Sequence, residues 1–217
     1  MTGAGSPLET VGLCLLAAAL AGALEQRPRA AVALLAGQGT LLTGGAVFAL
    51  FDSGDIHGVL AVLLTLAVKV VAIPWVLLAA VRAVSPAPGW RLAVPKRVAL
   101  VLALAVVLIT FYWMEPLSLP GAGGTARVLS ASVAVMLLGL YAMLIQRSAL
   151  GQVMGLVTME NGLYLAALAA TRGLPLAVEL GVALDALVAV VVMAFVSGKL
   201  HRTFNTGDTE HLRVLKG

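Results

Sequence analysis

The chain has 217 residues, of which 61% are hydrophobic and 11% are charged, and its mean hydropathy of +1.04 lies far above that of a soluble domain. Its formal net charge is +4, but the basic residues lie in short connecting segments, so nucleic acid is not expected as a partner. A membrane β-barrel is excluded because runs such as Leu100–Leu108 are continuously apolar and do not alternate.

Seven apolar segments are each long enough to cross about 30 Å of hydrocarbon as an α-helix. Short connectors, most of them containing proline or glycine, join these segments. The sequence therefore predicts an all-α, polytopic membrane protein with about seven transmembrane helices. In chain order the predicted spans are Leu8–Leu24, Ala30–Phe51, Ile56–Val84, Val98–Met114, Ala126–Ile145, Leu150–Ala170 and Leu176–Leu200.

The distribution of basic residues predicts how these helices are oriented. Eleven Lys and Arg residues fall in the first, third and fifth connectors and in the C-terminal tail, whereas the alternate connectors hold only Arg127 and Arg172. Because basic residues favour the cytoplasmic side, we expect the N-terminus outside and the C-terminus in the cytoplasm.

The connector Pro116–Gly124 predicts a flexible link between the first four spans and the last three. We expect an N-terminal four-helix membrane part over residues 1–115, an outside linker over 116–125, a three-helix membrane part over 126–201 and a cytoplasmic tail over 202–217. Cys14 is the sole cysteine, and the three histidines lie at span ends or in the tail. Neither a thiolate cluster nor facing haem ligands can form from these residues, so no cofactor or metal is expected on this chain.

Three ionisable residues lie near the middle of predicted spans: Lys69 in the third, Glu160 in the sixth and Asp185 in the seventh. Counting inward from the outside ends at 1.5 Å per residue places each of them roughly 18 to 20 Å deep. An ionisable side chain at the bilayer centre costs about 2.5 to 3.5 kcal/mol on insertion scales, so such residues usually have partners and a function. A lysine facing carboxylates at one level is the arrangement expected of a proton relay.

The third span should be irregular beside Lys69. Pro74 has no N–H to donate to the carbonyl of Val70, so we expect a kink there and a carbonyl that is free to accept a hydrogen bond from water.

Other residues are expected to support the carboxylates. Gly181 lies one turn before Asp185 and supplies space, while Tyr164 lies one turn beyond Glu160 and supplies a hydroxyl. Glu179 lies nearer the outside end of the seventh span, where it would belong to an exit path or to an interface with another subunit.

Small residues indicate where helices pack closely. The second span contains Gly37, Gly39, Gly44 and Gly45, and the sixth begins with a small-xxx-small pair, Gly151 and Gly155.

Two stretches carry a family resemblance: Met159-Glu160-Asn161-Gly162 and Val178-Glu179-Leu180-Gly181-Val182-Ala183-Leu184-Asp185. They resemble component E of hydrogenase-4-type complexes, whose C-terminal part is similar to the K subunit of respiratory complex I. The K subunit family has a Glu on its middle helix and another on its third helix, both along the polar axis of the membrane arm. Glu160 matches the first, and Asp185 matches the second better than Glu179 does. Lys69 has no counterpart in the three-helix K subunit.

The resemblance implies a membrane-arm subunit of a hydrogenase-4-type or related complex-I-like oxidoreductase in a bacterial or archaeal cytoplasmic (inner) membrane. It implies a nickel-iron centre and iron-sulfur clusters on partner subunits, with no redox centre on this non-catalytic chain. The partners would be antiporter-like subunits and the membrane anchor of the redox arm. The role of this chain would be proton translocation for energy conservation, through Glu160, Asp185, Lys69 and Glu179.

Other functions are compatible with the same residues. A subunit of a multi-subunit cation/proton antiporter would use the same fold without a hydrogenase partner. A purely structural membrane spacer would hold Lys69 in a fixed ion pair that sets the helix register. A seven-helix photoreceptor is disfavoured, because its lysine belongs on the last helix, where this sequence has none before Lys199.

The orientation can be tested with topology reporters. We expect a reporter at the C-terminus to read cytoplasmic and one inserted between Pro116 and Gly124 to read outside, because the basic connectors should remain inside. The reverse pattern would contradict both the orientation and the depths assigned to the three midplane charges.

Overall fold

The computed structural model describes residues 7–53, 56–83, 91–114, 123–171 and 190, and nearly all of them are helical. A π-helical segment, Leu66–Ala72, connects α3 to α4 without a break. Among the described residues, β-structure is limited to one isolated antiparallel bridge. The α-helices are α1 (Pro7–Leu24), α2 (Pro28–Ser53), α3 (Ile56–Thr65), α4 (Ile73–Ala83), α5 (Lys96–Met114), α6 (Gly123–Ile145) and α7 (Ala149–Thr171).

Six stretches of the described chain are long and apolar enough to cross a membrane, and α3, the π-helical segment and α4 together form the third of them. The all-α, multi-pass membrane fold is thereby confirmed, with the first six spans where the sequence predicts them. The predicted seventh span lies outside the described residues. The orientation and the division into four parts remain predictions. The six spans are Pro7–Leu24, Pro28–Phe51, Gly58–Arg82, Lys96–Met114, Ala126–Ile145 and Ala149–Ala170.

Local sequence explains where several helices begin. Pro7 and Pro28 occupy the first positions of α1 and α2, where the missing N–H of proline costs no helical hydrogen bond. Ser148 precedes α7 and its hydroxyl accepts a hydrogen bond from the Gly151 N–H at 3.1 Å, which caps the helix. In the turn between α1 and α2, the Glu25 carboxylate accepts hydrogen bonds from the N–H groups of Gln26 and Arg27, each at 2.9 Å.

The two helices α6 and α7 form the most extensive pair in the described chain. Glycines allow their backbones to touch: a Cβ atom built on Gly139 would lie 2.3 Å from the backbone nitrogen of Met159. A Cβ on Gly155 would lie 2.8 Å from the carbonyl oxygen of Gly139, and one on Gly162 would lie 2.7 Å from that of Ser132. Close approach of this kind is the usual basis of helix association in membranes, where lipid is as apolar as the helix surfaces.

The glycines singled out in the sequence divide into two groups. Gly39 packs against the backbone of Lys69, and Gly45 packs against Leu168. By contrast, a Cβ atom on Gly37 or Gly44 would meet nothing within 4 Å. Glycine content alone therefore overstates the number of close contacts on α2.

The core consists of two large apolar clusters. In one, α2, α4 and α7 meet around side chains such as Leu35, Leu77 and Val153. In the other, α1, α2, α6 and α7 meet around Leu15, Leu138 and other buried side chains. The polar residues of the candidate site lie on α2, α7 and the third span, the helices whose buried faces form the first cluster.

Helix α5 lies at the periphery. Only Ala99, Ala103 and Thr110 are buried on it, and most of its large apolar side chains are exposed. A surface of this composition suits contact with lipid or with another membrane subunit.

The segment that precedes α5 is attached to the turn between α6 and α7. Leu92 and Gln146 form the antiparallel bridge, in which the Ala93 N–H donates to the Ile145 carbonyl at 2.7 Å and the Arg147 N–H donates to the Arg91 carbonyl at 3.2 Å. The third connector and the fifth connector therefore lie at the same end of the bundle, as the predicted topology requires.

Packing of α6 on α7 can be tested with a matched pair of substitutions. Gly139→Ala should destabilise the protein by about 1 to 3 kcal/mol, because its Cβ would collide with backbone and force the helices apart. Gly44→Ala makes the same change in open space and should be neutral or slightly stabilising. The measurement is the thermal unfolding midpoint of each purified variant in detergent; equal midpoints would contradict the close contact.

Candidate functional site

A buried ion pair lies at the centre of the described bundle. The Lys69 ammonium donates a hydrogen bond to Glu160 Oε1, with Nζ and the oxygen 2.5 Å apart. Lys69 is only 4% exposed and Glu160 is 9% exposed. The π-helical segment supplies the lysine and α7 supplies the glutamate, so the pair connects the third span to the sixth.

A second layer of polar side chains extends from the lysine toward α2. Lys69 Nζ also donates to Asn161 Oδ1 at 3.2 Å, and Asn161 Nδ2 donates to Gln38 Oε1 at 3.0 Å. Asn161 is 1% exposed and Gln38 is completely buried. The ammonium, a carboxylate and two amides therefore form one hydrogen-bonded chain across three spans.

Tyr164 lies on the other side of the lysine, one turn along α7 from Glu160. Its ring centroid is 5.4 Å from Lys69 Nζ, which is within range of a cation–π interaction. Its hydroxyl is 2.9 Å from Thr65 Oγ1, in a buried hydrogen bond. The hydroxyl predicted to support Glu160 is thus bonded to the third span, and the aromatic face of the same residue stabilises the cation.

Two backbone features bring the lysine to this position. In the π-helical segment, the Ile73 N–H donates to the Val68 carbonyl, which is an i to i+5 hydrogen bond. On the neighbouring helix, a Cβ atom on Gly39 would lie 2.7 Å from the Lys69 carbonyl oxygen, so a glycine is needed for α2 to approach this closely. Because Gln38 precedes Gly39, the same approach places the Gln38 amide beside Asn161.

The predicted irregularity at Pro74 takes the form of this π-helical segment. Pro74 is the second residue of α4, directly after this segment, so the irregularity lies where the sequence predicts it. The carbonyl of Val70 as the acceptor that Pro74 leaves free stays a prediction.

The other predicted site residues, Asp185, Glu179 and Gly181, lie outside the described residues. Within the described ranges, no group of three His, Cys, Asp or Glu residues could hold a metal ion.

Sequence reasoning missed three members of the site: Gln38, Asn161 and Thr65. A signal existed for Gln38, which is an uncharged but strongly polar side chain between two glycines in the interior of an apolar span. Asn161 follows Glu160 directly, and only the structure shows that both side chains reach Lys69.

Comparison with known proteins identifies the family. A family model described as NADH-ubiquinone/plastoquinone oxidoreductase chain 4L matches residues 128–217. Hydrogenase-4 component E of Escherichia coli K12 is 39% identical over 151 residues, which cover 69% of this chain and 69% of that protein. The chain belongs to the hydrogenase-4 component E family.

Two further relatives extend this comparison. Hydrogenase-4 component E of Shigella flexneri is likewise 39% identical to this chain over 151 residues. An uncharacterised protein of Mycobacterium tuberculosis is 32% identical over 191 residues, which cover 87% of this chain and 86% of that protein. No solved structure matches the chain.

The ion pair in this component E family member can be tested by a double substitution. Lys69→Met should lower the free energy of unfolding by about 3 to 5 kcal/mol, because it leaves the Glu160 carboxylate buried without a cation. Adding Glu160→Gln should restore much of the lost stability, because the second substitution removes the uncompensated charge. The measurement is the thermal unfolding midpoint in detergent, together with the amount of protein in the membrane.

A control pair is available at the water-exposed end of the bundle. Arg127 donates to Glu9 Oε1 at 2.9 Å, and the Arg127 side chain is 73% exposed. In a double-mutant cycle of Arg127→Met and Glu9→Gln, the interaction energy between the two side chains should be below about 1 kcal/mol, as is usual for ion pairs at a protein surface. A Lys69→Met, Glu160→Gln double variant no more stable than Lys69→Met alone would contradict the buried pair.

Proposed function

We propose that this protein, a membrane subunit of a complex-I-like hydrogenase assembly, carries protons through the buried site around Lys69 and Glu160. The observation that carries the proposal is the Lys69–Glu160 ion pair in the interior of a bundle of apolar spans. Family membership supports the hydrogenase assignment, because the curated relatives with 39% identity are named hydrogenase-4 component E.

The geometry supports proton transfer at Glu160. As an ion pair, the Glu160 carboxylate and the Lys69 ammonium balance each other's charge. A proton that binds Glu160 would neutralise the carboxylate and leave the Lys69 cation, among the described residues, with the Asn161 oxygen and the Tyr164 ring as partners. Because an uncompensated charge is costly in this environment, the protonated site would tend to pass a proton onward.

We propose Asp185 as the next carboxylate and Glu179 as its alternative, in line with the resemblance of their stretch to the K subunit. Electron transfer in partner subunits would change the electric field or the hydration at the membrane arm and so shift the balance between the two states of the Lys69–Glu160 pair. Nearby charge shifts this balance strongly, because electrostatic interactions are poorly screened where the dielectric constant is low.

The redox chemistry belongs to other subunits in this proposal. A nickel-iron centre and iron-sulfur clusters would be held by partners, and this chain would be non-catalytic. The partners would be antiporter-like subunits and the membrane anchor of the redox arm, in a bacterial or archaeal cytoplasmic membrane. The exposed apolar surface of α5 offers one face for such contacts.

Substitution of Glu160 tests the function. Glu160→Gln keeps the shape and the hydrogen-bonding capacity of the side chain but removes the titrating group. The complex should therefore assemble, and proton translocation should fall by about tenfold or more, as expected when one proton-transfer group is lost. Glu160→Asp keeps the carboxylate at a shorter reach and should lose less. Protons translocated per electron are measured in vesicles, beside a blot for assembly.

Glu9→Gln is the matched control, because Glu9 is also a glutamate paired with a cation but lies in the first turn of α1. It should pump as the unmodified complex does. Full pumping by an assembled Glu160→Gln complex would overturn the relay role and favour a structural spacer, in which the ion pair only sets the helix register.

A further inference from the structure

A small cavity lies between the ends of four helices. It has a volume of about 20 Å³, which is enough for at least one water molecule. Its walls come from the end of α1, the beginning of α2, the end of α6 and the beginning of α7. The lining residues that matter below are Gly22, Gln38, Gln146, Met154 and Thr158.

Two buried polar atoms at this cavity have no hydrogen-bond partner among the described residues: Gln38 Nε2 and Gln146 Oε1. One is a donor and the other is an acceptor, and both side chains are at least 95% buried. A buried polar atom without a partner costs about 1 to 3 kcal/mol, and this cost disappears if water fills the space. The two atoms therefore offer a bound water molecule one donor and one acceptor.

The cavity reaches from one end of the bundle to Gln38. Gln146 lies next to exposed arginines at the helix ends, which we call the arginine-rich end (Arg27, Arg29, Arg91 and Arg147). Gln38 lies ten residues into α2 from Pro28, about 15 Å along the helix axis. From Gln38, hydrogen bonds continue through Asn161 to Lys69 and so to Glu160.

We propose that this cavity holds water and is the proton access route from the arginine-rich end to Glu160, and that the Gln38–Asn161 amide pair is its gate. The inference rests on the proposed function. Amide side chains donate and accept hydrogen bonds but do not titrate near neutral pH, so they separate the cavity from the ion pair in the described conformation. The described conformation is therefore the closed state.

Transfer requires the amide pair to move aside. A hydronium ion in the cavity would then give its proton to the Glu160 carboxylate, which leaves a neutral water in the cavity and a neutral carboxylic acid beside the Lys69 ammonium. Thr158 offers a further hydroxyl at the cavity wall, where its O–H donates to the Met154 carbonyl at 3.0 Å and its oxygen retains capacity to accept.

The test uses the intact complex and two readouts. The first is radiolytic hydroxyl-radical labelling of Met154, a buried thioether that lines the cavity and is oxidised by radicals formed from water beside it. The second is proton translocation per electron in vesicles. The unmodified complex should show Met154 labelling in spite of the burial of this side chain.

Gly22→Ala fills the cavity without a clash, because its Cβ would lie 3.8 Å from Gln38 Nε2, and a methyl group is close in size to a water molecule. It should reduce both Met154 labelling and translocation by about threefold or more if it displaces a bound water. Gly44→Ala makes the same change where nothing lies within 4 Å and should alter neither. Gln146→Leu removes the acceptor at the other wall and should reduce both readouts as Gly22→Ala does.

The outcomes separate this inference from the proposed function. Absence of Met154 labelling in the unmodified complex would overturn the water site. Labelling that falls in Gly22→Ala and Gln146→Leu while translocation stays normal would overturn the access route. If translocation in these two assembled variants is normal but Glu160→Gln abolishes it, the inference fails and the relay at Glu160 stands. If Glu160→Gln pumps normally, the relay itself fails.

Discussion

The Lys69–Glu160 ion pair is the interaction on which the arrangement of the polar interior depends. A lone charge of either sign would be too costly at this depth, so the third span and the sixth span must lie side by side at the level of these two residues. The amides of Asn161 and Gln38 then satisfy the remaining hydrogen-bonding capacity of the lysine and extend the polar chain to α2. Three spans are thereby held in one register by a single buried cation.

Apolar packing holds the rest of the bundle and also leaves room for the polar chain. Glycines at positions 139, 155 and 162 bring α6 and α7 into backbone contact, and Gly39 brings α2 onto the lysine backbone. Lipid provides no hydrophobic drive for these contacts, so their stability comes from close packing and from the polar bonds of the interior. The tight pair of α6 and α7 supplies a rigid support for Glu160, Asn161 and Tyr164, which all lie on α7.

The positions of the first six spans and the common level of Lys69 and Glu160 were accessible from the sequence. Apolar length marks a membrane span, and a fixed rise per residue converts sequence distance into depth, so Lys69 and Glu160 could be assigned to one level. The faces of the helices were not accessible, because spans that are apolar all round give no periodic signal of what each face touches. For that reason Gln38, Asn161 and Gly139 were not recognised as contact residues, and the π-helical segment appeared only as a kink at Pro74.

The π-helical segment also explains the spacing of the buried side chains along the third span. Thr65, Lys69, Ile73, Leu77 and Val81 are all buried, and they follow one another in steps of four. In a regular α-helix each such step overshoots a full turn by about 40°, so five residues in this series would spiral around the axis. A π turn takes more than four residues, and the steps that cross it fall short by a compensating amount. The series therefore stays on one side. If the segment were regular α-helix, the two steps from Thr65 through Lys69 to Ile73 would instead turn the buried face by about 80° between α3 and α4.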